Sequence, residues 1–204
     1  MATPLQNPAD CVNAALRKVG YRLSVGNLYD GSLAAQMALS IYGQTRDEML
    51  DEFDWPFAER NVALTLLKSA PAGGYIPPTT WSSTYPPLPW AYEYAFPSDA
   101  IKIRALKEAP LFLFNPDPQP ILYDVANDTY SAVVQRVILA NIPNAIAVYT
   151  GRITDPTTWD TGFSEAFISA LGKRLLPSLG NMQAIQVLTQ DEAQQTAIAE
   201  SDQP

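Results

Sequence analysis

The spacing of apolar residues changes twice along this chain, and these two changes limit the folds open to it. In the first 54 residues apolar side chains recur every three or four positions, as at Val12, Leu16 and Val19, which is typical of a helix. From Val62 onward they alternate as in strands, and helical spacing returns after Asp155-Pro156. The order predicts an α+β protein: a discontinuous helical bundle, residues 1–54 and 155–204, with an inserted and mostly antiparallel β-domain, residues 55–154.

Local signals place the helices. Asn7 and Pro8 are suited to begin the first helix and Gly20 to end it. A second helix is expected from Asp30 or Ser32, and Gly43 is expected to end or bend it. A capping-box pattern at residues 45–48 predicts a further helical segment. In the C-terminal part, the helix from Phe163 is expected to break or kink at Pro177, and a weaker helix is expected from Met182 to Ala199.

Between the helical parts, the sequence predicts strands separated by turns and by two proline clusters. Residues 62–66 are expected to form one strand, and Asn127-Asp128-Thr129 a turn. The remaining predicted strands are Tyr92–Phe96, Ile101–Leu106, Leu111–Phe114, Ile121–Val125, Val133–Ala140 and Ala145–Tyr149.

Composition removes most catalytic chemistry from consideration. The 204 residues include no histidine and one cysteine, Cys11, so no histidine-dependent triad, histidine-ligated zinc, internal disulfide or CxxC site can form. We therefore expect no cofactor and no bound metal. The net charge of −8 opposes binding to nucleic acid phosphates. Neither a signal peptide nor a membrane-length apolar run is evident, which predicts a protein made in a cytoplasm and without a membrane partner.

Two side-chain patterns remain as catalytic candidates. The first is an acidic run whose members at i and i+4 would suit an acid/base couple or a divalent ion: Asp47, Glu48, Asp51, Glu52 and Asp54. The second is Ser169 with Lys173, at the spacing of a Ser-Lys dyad. Each also fits an ordinary solvated helix face, and we favour that interpretation.

A long proline-rich loop, residues 71–90, is the main binding candidate. It carries the aromatic residues Trp81, Tyr85 and Trp90 among prolines that hold the chain extended. Such a loop loses little conformational entropy on binding, so it suits contact with a protein or a sugar. The same residues also fit a loop folded against its own domain.

Three stretches of this sequence resemble the head-to-tail adaptor family of short-tailed bacteriophages, also called tail tubular protein A. They occur in the family's order and span nearly the whole chain. The stretches are Asp54–Arg60 (DWPFAER), Tyr92–Ile103 (YEYAFPSDAIKI), and Tyr149–Pro156 (YTGRITDP) with Trp159-Asp160, Phe163–Phe167 and the following LGKRL. The loop at 71–90 is longer than the family usually carries, and Pro177 interrupts a helix that is commonly continuous there.

The resemblance implies a structural virion protein in the neck or tail, forming a ring of twelve copies. Its partners would be other copies of itself, the portal protein and the distal tube or nozzle protein, and DNA would pass through the lumen without specific binding. We expect the helix–β junction to be packed by Trp55, Phe57, Arg152, Asp155, Trp159 and Phe163. Portal docking is expected to use a C-terminal helix with Ile185 and Leu188.

Two alternatives stay open at this point. A tail-associated glycan-cleaving enzyme needs only two carboxylates, here Glu48 and Glu52, with Trp81 and Trp90 stacking sugars. A glycan- or protein-binding module would use the same tryptophans without catalysis.

Overall fold

A computed structural model describes residues 5–22, 24–75, 80–108 and 120–179 of the chain. The described residues divide into two compact units. The helical unit contains those up to Ala58 and those from Arg152 onward, and the β-unit is Glu59–Gly151. Three helices and two antiparallel sheets are present in these ranges, which confirms the mixed α+β class.

The first two helices are α1 (Pro8–Lys18) and α2 (Leu33–Glu52). Asn7 and Asp10 form a reciprocal capping box at the start of α1. Gly43 does not end the helix, because the 20-residue α2 continues through it; a bend at Gly43 stays a prediction. The Thr45 hydroxyl, predicted to cap a new segment, donates instead to the Ile41 carbonyl oxygen (2.8 Å) one turn back, inside the same helix.

The third helix, α3 (Thr161–Leu179), packs against both α1 and α2. Its start is fixed by Asp160, whose carboxylate accepts a hydrogen bond from the Phe163 amide at 2.6 Å. Pro177 lies inside α3 and does not break it, since the helix runs two residues further; a kink at Pro177 stays a prediction. The predicted helix at 182–199 lies outside the described residues.

The described residues of the β-unit form seven strands in two sheets. They are β1 (Glu59–Ala63), β2 (Leu66–Ser69), β3 (Tyr92–Ala95), β4 (Ala100–Glu108), β5 (Tyr123–Tyr130), β6 (Val133–Ala140) and β7 (Ala145–Gly151). One sheet has the order β1-β7-β4 and the other β2-β3-β6-β5. All pairings are antiparallel.

The core of the β-unit lies between these sheets. Tyr94 and Ile138 of one sheet pack with Leu106, Ala147 and Tyr149 of the other. The Tyr123 hydroxyl also donates to the Ile103 carbonyl oxygen across the sheets, at 3.0 Å. Sheet-on-sheet packing of this kind buries the apolar side chains that the two sheets direct toward each other.

One strand prediction and one turn prediction are wrong for a shared reason, because pairing with distant strands overrides the local sequence pattern. The single strand at 62–66 is two strands in different sheets: the Leu64 amide still bonds Ala145, whereas the Thr65 carbonyl already bonds Ala95. Asn127-Asp128-Thr129 is not a turn but part of β5, paired with residues 134–136 of β6. The predicted strand at 111–114 lies outside the described residues.

The junction segments group with the helices. Residues 55–58 and 152–154, assigned to the β-domain from the sequence, belong to the helical unit. Trp55 contacts Phe163 of α3, and the Trp159 indole N–H donates to the Ile153 carbonyl oxygen at 3.2 Å. These contacts place the boundary of the β-unit at its first and last strands.

Candidate functional site

A buried cluster of three charged side chains lies in the second sheet. The Lys68 Nζ atom is 2.6 Å from Asp128 Oδ2 and 3.4 Å from Glu93 Oε2. Glu93 has no solvent-exposed surface, and neither of its carboxylate oxygens makes a hydrogen bond within the described residues. The Lys68 ammonium group, at 3.4 Å and without a hydrogen bond to Glu93, compensates only part of the free-energy cost of burying the Glu93 carboxylate.

Strand pairing brings these residues together. Lys68 on β2 is directly opposite Glu93 on β3, so both side chains lie on the same face of the sheet. Asp128 comes from β5, the other edge of that sheet, and its second oxygen accepts a hydrogen bond from the Thr129 amide at 2.6 Å. The cluster therefore joins three strands, including both edges of the sheet.

The environment separates the pKa values of the two carboxyl groups. Burial raises the pKa of Glu93 to about 7, with a further rise from Asp128 that Lys68 only partly offsets. Burial would also raise the pKa of Asp128, but Lys68 and the Thr129 amide lower it overall. Burial would lower the pKa of Lys68, yet the Asp128 and Glu93 carboxylates raise it overall. At neutral pH the cluster thus holds the Lys68 cation and the Asp128 carboxylate, and the raised pKa of Glu93 favours its protonated form more than in an exposed glutamate.

Two neighbouring carboxyl groups with different pKa values suit proton transfer, but the geometry does not make this cluster accessible to a substrate. Glu93 is fully enclosed and the Lys68 side chain is only 7% exposed. Sequence reasoning missed the whole cluster, because it interpreted the segment around Asp128 as a turn. One signal was present: Glu93 interrupts the aromatic strand Tyr92–Ala95, and a charge in such a strand needs a buried partner.

Two members of the acidic run, Asp47 and Glu48, form ion pairs with arginines. Asp47 contacts Arg46 at 2.7 Å and Arg152 at 2.8 Å. Glu48 pairs with Arg174 of α3, and the hydrogen bond from Arg174 lowers the pKa of Glu48. A lowered pKa makes Glu48 less suited to act as the acid of a glycosidase. Asp47 and Glu48 link α2 to other segments of the helical unit.

Ser169 is buried on α3 and already has two partners. It accepts a hydrogen bond from Lys18 Nζ at 2.7 Å and donates its proton to the Glu165 carbonyl oxygen at 2.8 Å. A Ser-Lys nucleophile must instead direct its proton toward the lysine. The observed geometry is that of a link between α1 and α3.

An aromatic cluster contains four of the six residues expected at the helix–β junction. Phe163 is the central ring: its centroid lies 5.0–5.1 Å from those of Trp55, Phe57 and Trp159. All four rings belong to the helical unit, and Phe163 is completely buried. Edge-on and tilted ring pairs of this kind stabilise beyond their buried area.

Arg152 and Asp155, the other two expected junction residues, have separate partners. The Arg152 guanidinium binds Asp47 on α2, at 2.8 Å. The Asp155 carboxylate accepts hydrogen bonds from the amide and hydroxyl of Thr157, at 2.9 and 2.8 Å, which lowers its pKa. Asp155 thereby caps the short 3-10 turn at Pro156–Thr158. A role of the six residues in the junction stays a prediction.

The proline-rich loop extends the β2–β3 hairpin and is closed at its base. There the Ala70 amide bonds the Ala91 carbonyl oxygen at 2.7 Å, and the Ala91 amide bonds Asn141. The Trp81 indole N–H donates to the Pro86 carbonyl oxygen at 2.8 Å, and the ring remains 48% exposed. Leu88 is 61% exposed.

The other two aromatic residues of this loop are more covered. The Tyr85 ring contacts Tyr75 edge-on, and Trp90 is half-buried. Trp81 and Leu88 are thus the large apolar side chains that the described part of the loop presents to solvent. The portal-docking candidates Ile185 and Leu188 lie outside the described residues.

Comparison of the chain with protein-family models gave no match, and comparison with curated protein sequences gave no significant match either. Among the described residues, no helix has the length and apolar character needed to cross a membrane. The same part of the chain holds no group of three or more acidic or cysteine side chains that could bind a metal ion.

Proposed function

We propose that this chain is a structural virion protein, a head-to-tail adaptor that assembles as a ring of twelve copies between the portal and the distal tail protein. In this proposal the helices form one discontinuous bundle that meets the portal. The β-unit meets the distal protein, and DNA passes through a lumen that does not bind it specifically.

The observation that carries the proposal is the discontinuous organisation of the chain. Segments from both ends supply one unit, in which α3 packs on α1 and α2, and the β-unit is inserted between them. The three stretches that resemble the adaptor family occupy corresponding places. Residues 54–60 lead into β1, residues 92–103 form β3, a turn and part of β4, and residues 149–167 lead from β7 into α3. Their agreement with the start, middle and end of the insertion supports the resemblance.

Charge supports the same role. Each copy carries −8, so a closed ring of copies would be strongly acidic. An acidic lumen repels DNA phosphates, which favours sliding over binding.

Electron microscopy of the full chain mixed with its portal protein tests the proposal. We expect closed rings on the portal, with twelvefold symmetry in class averages. A chain that stays monomeric in the presence of portal would contradict it. The double variant Trp81→Ala/Leu88→Ala is expected to form the same rings but to lose the distal tail protein. Leu33→Ala, which alters an exposed side chain of the helical unit, is the control for the distal contact and should retain the distal tail protein.

A glycan-binding module is the second candidate, and the conformation of Trp81 favours it. Its indole N–H is held by Pro86 while about half of the side chain faces solvent, as in a sugar-stacking platform. This role predicts binding to purified cell-wall glycan that Trp81→Ala abolishes. If the parent protein reduced the turbidity of a cell-wall suspension, this result would indicate cleavage. If the double variant Glu48→Gln/Glu52→Gln then did not reduce the turbidity, the enzymatic alternative would replace both the adaptor and the glycan-binding proposals.

A further inference from the structure

An open groove lies at the C-terminal end of α1, where the chain turns back beside the helix. Gly20 makes this turn with a φ of +78°, a conformation that favours glycine. Two hydrogen bonds between the Asn13 side chain and the Val25 backbone, at 2.9 and 2.7 Å, hold the returning chain against the helix. The fold itself therefore keeps the groove open. Its volume is about 560 Å³, and its described lining residues are Asn13, Arg17, Gly20, Tyr21, Arg22 and Ser24.

These lining residues offer hydrogen-bond donors and no negative charge. Arg17 and Arg22 are both exposed, and neither guanidinium forms a hydrogen bond or ion pair within the described residues. The hydroxyl groups of Tyr21 and Ser24 have no hydrogen-bond partner in that part of the chain either. No carboxylate is among the lining residues that the structure describes. Two permanent positive charges beside two hydroxyl groups favour an anionic ligand with several acceptor oxygens.

The carbonyl groups at the end of α1 are already capped. The Tyr21 amide donates to the Leu16 carbonyl oxygen at 2.8 Å, and the Gly20 amide donates to the Arg17 carbonyl oxygen at 3.0 Å. This pair of hydrogen bonds is the Schellman motif. Because these carbonyl oxygens are occupied, they present less partial negative charge to an anion in the groove. Arg22 lies beyond the helix, so its charge is not used to offset the helix dipole.

The number of donors indicates the class of anion. One guanidinium group can bind both oxygens of a carboxylate, so a carboxylate ligand would leave the second arginine unmatched. A phosphate monoester carries close to two negative charges at neutral pH and has three terminal oxygens, which two guanidinium groups and a hydroxyl group can share. The volume of the groove is typical of small-ligand sites and leaves room for an organic part beside the phosphate. Duplex DNA would need many more phosphate contacts, and the net charge of −8 opposes its binding.

We propose that the groove lined by Arg17, Tyr21, Arg22 and Ser24 binds a small phosphate monoester. The two guanidinium groups hold the phosphate oxygens through charge-assisted hydrogen bonds, and the hydroxyl groups donate to the remaining acceptor sites. The organic part of the ligand occupies the rest of the groove. This inference goes beyond the proposed role in a phage tail and does not depend on it, because every residue of the site comes from one copy of the chain.

Isothermal titration calorimetry of the full-length protein tests the proposal. The probes are glucose 6-phosphate, adenosine monophosphate and inorganic phosphate, which share the anionic group and differ in the organic part. We expect at least one ester to bind about tenfold more tightly than inorganic phosphate, because the organic part adds contacts in the groove. Glucose 6-sulfate has a similar shape but a single negative charge, so it should bind at least tenfold more weakly than glucose 6-phosphate. No binding of either ester at millimolar concentration, or no preference over inorganic phosphate, would overturn the proposal.

Charge-neutral variants locate the binding. Arg17→Gln/Arg22→Gln should raise the Kd of the esters at least tenfold, with a thermal unfolding midpoint close to that of the parent because both side chains are exposed. Arg60→Gln/Lys107→Gln removes the same charge from exposed positions of the β-unit and should leave the Kd unchanged. Equal weakening in the two double variants would reduce the effect to general charge attraction and overturn the site. Displacement of the bound ester by short duplex DNA at low micromolar concentration would overturn it in favour of a nucleic acid surface.

Discussion

Lys68 and Glu93 lie directly opposite each other on adjacent strands, with 3.4 Å between ammonium nitrogen and carboxylate oxygen. Glu93 is completely buried, whereas Asp128 takes the shorter contact to the same lysine, at 2.6 Å. One buried cation thus faces two carboxyl groups. When both are ionised the cluster carries a net negative charge in a low-dielectric interior, so the protonation of Glu93 affects the stability of the β-unit.

Glu93→Gln should remove a pH dependence of stability. The folded-state pKa of Glu93 is about 7, against 4.5 for a glutamate carboxyl group in water, so between these values the folded chain binds more protons than the unfolded chain. The stabilisation that comes from proton binding to Glu93 is complete below pH 4.5, decreases as the pH rises toward 7 and is lost above pH 7. Denaturant unfolding at a series of pH values should show that decrease in the parent protein and not in Glu93→Gln.

The matched variant at the same cluster is Asp128→Asn. It leaves Lys68 with only the distant contact to Glu93, so we expect a loss of about 1–3 kcal/mol in the free energy of unfolding at neutral pH. Because the ionised Asp128 raises the pKa of Glu93, the decrease with pH should also shift to lower pH. An unchanged pH profile in both variants would contradict this account.

Phe163→Ala should severely destabilise the helical unit. The ring is completely buried and contacts Trp55, Phe57 and Trp159. We expect a loss of about 3–5 kcal/mol, from lost burial and from the cavity left among these rings. Thermal unfolding followed by tryptophan fluorescence measures it. Leu33→Ala, on an exposed part of α2, should change stability by less than about 0.5 kcal/mol.

Two glycine-to-alanine changes should have opposite signs. Gly43 lies within α2, and an added methyl group there would meet no atom within 4 Å beyond the backbone of its own helix, so Gly43→Ala should stabilise the protein by about 1 kcal/mol. Gly20 has equal space but a φ of +78°, so Gly20→Ala should destabilise it by about 1 kcal/mol. The urea midpoints of the two variants, each compared with that of the parent, test this prediction. If both midpoints shifted in the same direction, the space around the two glycines rather than their backbone conformation would determine the change in stability.

The β5–β6 hairpin is expected to gain stability from a better turn sequence. Tyr130 pairs with Val133, so the turn has two residues, and Ser131 and Ala132 have φ values of +50° and +64°. Two successive positive φ angles are typical of a type I′ turn, which prefers Asn-Gly. Ser131→Asn with Ala132→Gly should therefore raise the free energy of unfolding by about 1 kcal/mol, measured by denaturant unfolding. The reversed order, Gly-Asn, should gain less.

Local chemistry was enough to predict most of the fold. The caps of α1 and the strands β6 and β7 follow from residues that interact within a few positions, or from a strong apolar pattern. Gly43 and Asp128 were misread because distant partners decide their structure: α3 packs along α2, and β6 pairs with the Asn-Asp-Thr segment. The charge cluster escaped prediction for the same reason, since Lys68 and Asp128 are sixty residues apart and meet only through strand order.

The insertion also has a consequence for biosynthesis. Because α1 and α2 pack against α3, which follows the β-unit in the chain, the ribosome delivers the two N-terminal helices long before the surface that covers them. Until α3 is synthesised, the side chains that it helps to bury are incompletely covered, among them Leu16, Leu50 and Trp55. The β-unit can already fold at that stage, because its strands pair among themselves. We expect ribosome-bound chains stalled before residue 161 to bind holdase chaperones through these helices. Release of the nineteen residues of α3 from the ribosome should end that exposure.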